Sequence, residues 1–142
     1  MIDPCKFNRV CYSIKKYLII NMKIEEFKYL LTKDHKILIV KFGAEWCKPC
    51  QNIKPYINEL LTTYKIEGLV FQQIEVNLKD DELYSLMKRR RLIQGIPAFC
   101  LYYRNKYDED LFYVPDETII GADKVSLNSM FKRASEYCNN NN

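Results

Sequence analysis

The sequence predicts an α/β fold in a single domain, with strands and helices alternating along the chain. Apolar runs typical of buried strands are followed by segments whose apolar residues recur at helical spacing. The 142 residues are enough for one domain with its own core, and a hydrophobic content of 48% with 28% charged residues is ordinary for a globular chain. A net charge of +4 does not by itself indicate a nucleic-acid partner.

Each element is predicted from a local pattern. Strands are expected where apolar and β-branched residues are concentrated, at residues 17–21, 37–40, 69–76, 98–103, 111–114 and 118–121. Helices are expected at residues 23–32, 51–64 and 125–137, and another should begin after Asp80, a suitable N-cap. Its inward face should carry Leu83, Leu86 and Met87. Pro55 should kink the second helix, because proline has no backbone donor.

Residues 42–50, Phe-Gly-Ala-Glu-Trp-Cys-Lys-Pro-Cys, lie between a predicted buried strand and a predicted helix. Cys47 would sit at the start of that helix, where unpaired N–H groups and the positive end of the helix dipole stabilise a thiolate. Cys50 follows one turn later, close enough to close a small disulfide ring. Such a pair can alternate between dithiol and disulfide, and its first sulfur has a lowered pKa.

Two cysteines with the spacing of Cys47 and Cys50 also occur as one half of many structural zinc sites. A structural zinc site usually needs four ligands, however, and commonly takes them from two such pairs. The remaining cysteines, Cys5, Cys11, Cys100 and Cys138, form no second pair of this kind. His35 is the only histidine and is expected in an exposed turn. The sequence therefore favours redox chemistry without a metal.

Two segments resemble the thioredoxin family. Residues 44–50, with Pro55 five positions after the second cysteine, are similar to the thioredoxin active-site segment, and residues 95–99, Gly-Ile-Pro-Ala-Phe, are similar to the segment that carries its cis-proline. Both occur in the order typical of the family, and the resemblance covers roughly residues 17–138. It implies a thioredoxin-like fold, in which a central mixed β-sheet is flanked by helices, with a cis peptide bond before Pro97.

The resemblance implies a thiol–disulfide oxidoreductase that reduces protein disulfides and binds no cofactor other than its own cysteine pair. Cys47 would attack the substrate disulfide, and Cys50 would resolve the mixed disulfide. Substrate would be bound by the surface around these cysteines, formed by Trp46, Lys48, Pro49, Ile96 and Pro97. A thioredoxin reductase or another dithiol donor would supply electrons.

Four residues depart from the family pattern. Lys48 replaces a common glycine, and a cation there should stabilise a thiolate and raise the reduction potential somewhat. Gly43 replaces a second aromatic residue and should loosen the packing. Lys41 stands where the family usually has a buried aspartate, and Glu75 stands at the position of its lysine partner. We expect Lys41 and Glu75 to form a partly buried ion pair, with Glu75 accepting the proton of Cys50. Alternatively, Lys41 extends outward and Glu75 is solvated.

The parts that the resemblance leaves unexplained are an extension at residues 1–16, a frayed tail at 139–142 and an enlarged C-terminal hairpin between residues 103 and 118, with a bulge or extra strand. Cys5 and Cys11 make the extension either a redox-active arm or a loose segment with spare thiols. The basic run at residues 88–91 is either surface charge matched to a helix C-terminus or, in the implied fold, a border of the substrate groove that favours acidic partners.

Charged residues interrupt the first 22 positions, so neither a secretory signal nor a membrane span is predicted, and the reducing cytoplasm is the expected location. A nucleic-acid partner is not expected, because basic and aromatic residues do not alternate. Two other functions stay open. One is a non-catalytic binding or scaffold module, which the extension, hairpin and basic run could serve. The other is a more oxidising disulfide oxidase or isomerase.

Overall fold

The structure, a computed structural model, describes residues 15–20, 22–33, 35–76, 81–103 and 108–140, with the backbone alone for 15–20. Strands and helices alternate through most of the chain, as the sequence predicted. The elements in chain order are β1 (Lys15–Ile20), α1 (Ile24–Thr32), β2 (Ile37–Gly43), α2 (Lys48–Tyr64), β3 (Leu69–Glu75), α3 (Glu82–Arg89), β4 (Ala98–Tyr103), β5 (Glu117–Ile120) and α4 (Lys124–Asn140).

The five strands form one mixed sheet in the order β1-β3-β2-β4-β5. β1, β3 and β2 run parallel, and β4 and β5 are antiparallel to their neighbours. β2 is the central strand. Because its partner β4 is antiparallel, the end of β2 at Phe42 lies beside the start of β4 at Ala98. The topology thus brings the segment after β2, with the cysteine pair, to the same edge as the segment before β4, with Pro97.

Side chains alternate across the sheet and divide the core into two layers. Even-numbered residues of β2 pack with α1 and α3, and odd-numbered residues pack with α2 and α4. All seven residues of β2 are buried. α2 runs from Lys48 through Pro55 to Tyr64 without interruption. Since β2 is covered on both faces, the segment that follows it starts from a rigid base.

Two consecutive acids hold the start of α1 against the start of α3. Asp81 is the N-cap of α3, and its carboxylate accepts hydrogen bonds from the Tyr84 N–H at 2.7 Å and the Met22 N–H at 3.1 Å. Glu82 accepts one from the Ile24 N–H at 3.1 Å, so it caps α1 from another helix. Asp81 is buried, and desolvation raises the pKa of this carboxyl above its ordinary value.

The structure corrects several predictions for individual residues. Asp81, not Asp80, caps α3, and Asp80 lies outside the described residues. Tyr84 takes the buried position that was expected for Leu86, which is only partly buried. His35 is buried rather than exposed, with Nε2 2.9 Å from the Leu30 carbonyl oxygen, to which it donates.

The hairpin between β4 and β5 differs from the prediction as well. Residues 109–113 form turns instead of a strand, and the Val114 N–H donates to the Leu111 carbonyl at 3.0 Å. Phe112 packs against Phe27, with ring centroids 6.2 Å apart. The extra residues therefore cover the side of the core near α1. Residues 104–107 lie outside the described part of the chain.

Arg90, in the basic run, lies beside the enlarged hairpin. The Arg90 guanidinium lies 6.0 Å from the centroid of the Tyr113 ring, and the Tyr113 carbonyl accepts a hydrogen bond from the Tyr102 hydroxyl. Tyr102 pairs with Leu38 near the start of β2, roughly 13 Å along β4 from Ala98. The expectation that the run borders the substrate groove stays a prediction.

Replacing Asp81 with Ala should lower the free energy of unfolding by about 2 kcal/mol, because α3 loses its cap and the buried Met22 N–H loses its acceptor. Asp123→Ala is the matched control: this exposed aspartate accepts from the Val125 N–H at the start of α4, and its loss should cost less. Urea unfolding followed by circular dichroism measures both. Equal losses in the two variants would contradict the proposed double role of Asp81.

Candidate active site

The segment between β2 and α2 makes a tight turn that places Cys47 at the start of a helix. The Cys47 N–H donates to the Ala44 carbonyl at 3.1 Å, and the side-chain amide of Gln51 donates to the same carbonyl at 2.8 Å. Cys47 is the N-cap of α2, and Pro49 occupies the first turn, where no donor is needed. These contacts fix the turn from both sides.

Cys47 and Cys50 form a disulfide, with their Cα atoms 5.3 Å apart. The Cys50 N–H donates to Cys47 Sγ at 3.3 Å, so the sulfur occupies the capping position of the helix. Cys47 is 6% exposed and Cys50 is 1% exposed. A thiolate at Cys47 would receive this N–H bond and the field of the helix dipole, and both stabilise negative charge.

The Pro97 segment closes over the disulfide. The peptide bond between Ile96 and Pro97 is cis, the isomer that the sequence predicts. The Ile96 carbonyl oxygen lies 3.8 Å from Cys47 Sγ, and the Pro97 carbonyl accepts a hydrogen bond from the Gly121 N–H at 2.8 Å. Pro97 is buried, and Ile96 is partly buried. The more accessible sulfur therefore lies beside a backbone segment held in place by the end of β5.

The outer surface next to the disulfide carries apolar side chains and charges of both signs, since Glu45 and Lys48 are both exposed. Trp46 is 71% exposed. Lys48 and Pro49 are exposed as well. Because Trp46 directly precedes Cys47, a molecule that approaches this sulfur would contact the indole.

Lys41 and Gly43 lie beneath the disulfide, on the face of β2 that packs against α2. Lys41 is 2% exposed, and its ammonium donates to the Cys50 carbonyl at 3.3 Å. Glu75 is aligned with Gly43 in the neighbouring strand and is partly exposed. Lys41, Glu75 and Cys50 line one narrow crevice.

The ammonium of Lys41 reaches the backbone of α2 at the Cys50 carbonyl. The ion pair between Lys41 and Glu75 stays a prediction. The alternative, in which Lys41 extends into solvent, is wrong because Lys41 is buried. The proton-accepting role of Glu75 stays a prediction.

Sequence reasoning missed two supporting residues, Gln51 and Gly121. Gln51 fixes the turn before Cys47, and Gly121 donates its N–H to the Pro97 carbonyl. Gly121 has a φ angle of 97°, a conformation that favours glycine, and a glycine directly after an apolar run was the available signal. No comparable signal marked Gln51, because its contact depends on how the helix meets the turn.

A profile of the thioredoxin family matches residues 18–120. The chain belongs to the thioredoxin family. A thioredoxin of Coprinus comatus is 26% identical over 111 residues, which cover 78% of this chain and 92% of that protein. Putative thioredoxin-4 of Dictyostelium discoideum is 31% identical over 99 residues, which cover 70% and 83% of the two chains. Membership and the Cys47–Cys50 disulfide make the protein a thiol–disulfide oxidoreductase.

Solved structures share the fold. The thioredoxin of Malassezia sympodialis has a TM-score of 0.61 at 21% identity, with 84% of this chain and 93% of that chain covered. Oxidised mitochondrial thioredoxin 3 of Saccharomyces cerevisiae has a TM-score of 0.60 at 22% identity, with 82% and 94% covered. Within the described residues, no helix could cross a membrane and no group of three potential ligands could hold a metal ion.

The other two cysteines that the structure describes lie in surroundings different from those of the active-site pair. Cys100 and Cys138 are buried free thiols. Burial raises the pKa of Cys100 to about 12, and burial is also the main cause that raises the pKa of Cys138. Both therefore stay protonated at neutral pH. Cys5 and Cys11 lie outside the described residues.

The reduced, folded protein should be alkylated at Cys47 well before Cys100 or Cys138, because those two thiols are protonated and enclosed. Iodoacetamide at neutral pH, followed by peptide mass spectrometry over time, measures the order. The same treatment in denaturant is the control and should label all of these cysteines. Labelling of Cys100 in the folded protein as fast as Cys47 would show that the core around β4 opens readily.

Proposed function

We propose that the protein reduces disulfide bonds of other proteins. The observation that supports this most is the asymmetry of the cysteine pair. Cys47 Sγ accepts the Cys50 N–H at a helix N-terminus and lies beside the Ile96 carbonyl, whereas Cys50 is enclosed behind it. The Cys47 sulfur is thus suited to attack an incoming disulfide, and the Cys50 sulfur is suited to attack only the Cys47 sulfur.

In the proposed cycle, the Cys47 thiolate attacks one sulfur of the substrate disulfide. The Cys47–substrate bond forms as the substrate S–S bond breaks, and the departing substrate thiolate takes a proton. Cys50 then loses its proton and attacks Cys47 Sγ. The Cys47–Cys50 disulfide forms, and the second substrate thiolate leaves and is protonated. Two electrons pass from the protein to the substrate, and a dithiol donor must restore the reduced pair.

The surface around Cys47 suits an extended substrate chain. The Ile96 carbonyl, close to Cys47 Sγ, can accept a backbone N–H in the manner of an added strand. We assign apolar contacts with the substrate to Trp46, Pro49 and Pro97, and attraction for acidic groups to Lys48. A thioredoxin reductase or a smaller dithiol would be the electron donor. The cytoplasmic location remains a prediction, since relatives include chloroplastic thioredoxins.

A more oxidising enzyme, an oxidase or isomerase, is the second candidate. The exposed Lys48 and the buried Lys41 are both cations near the cysteine pair, and cations stabilise the reduced, thiolate-bearing form. Equilibration with a glutathione buffer separates the candidates. A potential close to that of protein disulfide isomerase, about −180 mV, would favour the second, and one near −270 mV would favour the first.

The wild-type protein should accelerate reduction of a model protein disulfide by a small dithiol, and Cys47→Ser should reduce the rate to that of the dithiol alone. Cys50→Ser should instead accumulate a mixed disulfide at Cys47, because the resolving thiol is missing. Turbidity of the reduced substrate and non-reducing electrophoresis measure the two effects. Cys100→Ser is the control and should keep the wild-type rate. A folded, reducible wild-type protein without turnover would favour the binding-module alternative.

We further propose that Glu75 accepts the Cys50 proton, since both line the crevice beneath the disulfide. Glu75→Gln should then slow resolution of the mixed disulfide by at least about tenfold near neutral pH, because the acceptor is lost. Glu59→Gln, an exposed change in α2, is the matched control. Rapid mixing with a disulfide substrate gives the rate at several pH values. An unchanged rate and pH profile in Glu75→Gln would refute this role.

A further inference from the structure

A buried lysine lies directly behind the resolving cysteine. Lys41 is on the central strand β2, between β3 and β4, and its side chain is enclosed between the sheet and α2. Its ammonium donates to the Cys50 carbonyl, so the charge is held at the first turn of the helix that carries both cysteines. An enclosed ammonium is costly, because it loses most of its hydration.

The absence of a side chain at Gly43 leaves the lysine and the sulfur beside one small space. A Cβ atom at residue 43 would lie 3.5 Å from Cys50 Sγ and 3.8 Å from Lys41 Cε. The end of the lysine side chain and the Cys50 sulfur therefore both border this space. In such an enclosed place, charge–charge interactions are stronger than in water.

Among the residues that the structure describes, the other charged side chains at this crevice are Lys54 from α2 and Glu75 from β3. Both are less buried than Lys41. A hydrated charge is screened more strongly than an enclosed one, so Lys41 should act on Cys50 more than Lys54 does. The backbone bond to Cys50 also fixes the direction in which the ammonium lies.

We propose that Lys41 is a positioning residue that stabilises the thiolate of Cys50 and so speeds the resolving step. This inference rests on the proposed oxidoreductase function. When Cys47 is joined to a substrate, Cys50 is free and must lose its proton, to Glu75 or to water, before it attacks Cys47 Sγ. The ammonium of Lys41 stabilises the negative charge that this deprotonation creates.

The same charge has a second effect on the rate. A thiolate that is stabilised is also a weaker nucleophile, with a Brønsted slope of about 0.4–0.5. Below the pH at which Cys50 ionises, Lys41 helps because more thiolate is present. Above that pH, Cys50 is ionised in any case, and only the weaker nucleophilicity remains. The pH–rate curves with and without the lysine charge should therefore cross.

The test follows two releases of a coloured thiolate after rapid mixing with an aromatic disulfide. The first release reports the attack by Cys47, and the second reports resolution by Cys50. The Cys50→Ser variant releases thiolate only through the first step and through other thiols. Its signal is subtracted from that of the wild type, and the difference gives the second step. In Lys41→Met the second step should be about threefold to tenfold slower at neutral pH, and it should equal or exceed the wild-type rate in alkaline solution.

Two matched variants separate charge from packing. Lys41→Arg keeps a cation and a donor and should restore most of the rate. Lys54→Met removes a lysine from the same crevice and should leave the second step near the wild-type value. Equal second-step rates in Lys41→Met and the wild type, or a deficit of the same size at every pH, would overturn the inference.

The two proposals fail in different ways. If the wild type does not turn over a protein disulfide, the proposed function fails, but the second release from the aromatic reagent still measures the effect of Lys41. If the wild type is active and its pH curve does not cross that of Lys41→Met, only the inference about Lys41 fails. Circular dichroism of each variant shows whether the fold is kept. Lys41→Gln, which is neutral but keeps a donor, replaces Lys41→Met in the same comparison if Lys41→Met unfolds.

Discussion

The first turn of α2 is the constraint on which the rest of the site depends. It must hold Cys47 at the capping position while Cys50, one turn later, stays enclosed. Two contacts from outside the helix achieve this: the Cys47 N–H bonds to the turn at Ala44, and the ammonium of Lys41 bonds to the Cys50 carbonyl. Because β2 is buried on both faces, these contacts connect the reactive turn to a fully enclosed strand at the centre of the sheet.

The sheet topology explains how the Pro97 segment reaches the cysteine pair although the two are far apart in the sequence. β4 runs antiparallel to β2, so the segment before β4 arrives beside the segment after β2. The Ile96 carbonyl then lies next to Cys47 Sγ, and Gly121 holds Pro97 from the other side. Meanwhile the enlarged hairpin, which follows the end of β4, lies toward the opposite edge. Additions to the fold at that edge can therefore vary without disturbing the reactive pair.

The sequence was sufficient for the order of most elements and for the cysteine pair, because both depend on local patterns. It was insufficient where a residue is fixed by distant partners. His35 is buried because its ring bonds to the end of α1, and no local signal predicts that. Residues 111–114 have strand-like composition but form no strand, since Phe112 packs against α1 instead of pairing. The position of Lys41 was predictable, but the backbone carbonyl it contacts was not.

The charge of Lys41 links the stability of the fold to the redox state of the pair. In the oxidised protein the enclosed ammonium faces a neutral disulfide, and its lost hydration is offset by dipoles such as the Cys50 carbonyl. In the reduced protein a thiolate at Cys50 would offset the same cost more fully, because opposite charges attract strongly in an enclosed place. Any free energy by which the cation stabilises the thiolate makes the disulfide easier to reduce by the same amount. In the proposed role, a buried lysine here speeds resolution below the pH at which Cys50 ionises and reduces the driving force for reducing a substrate, whereas a buried carboxylate would repel the thiolate.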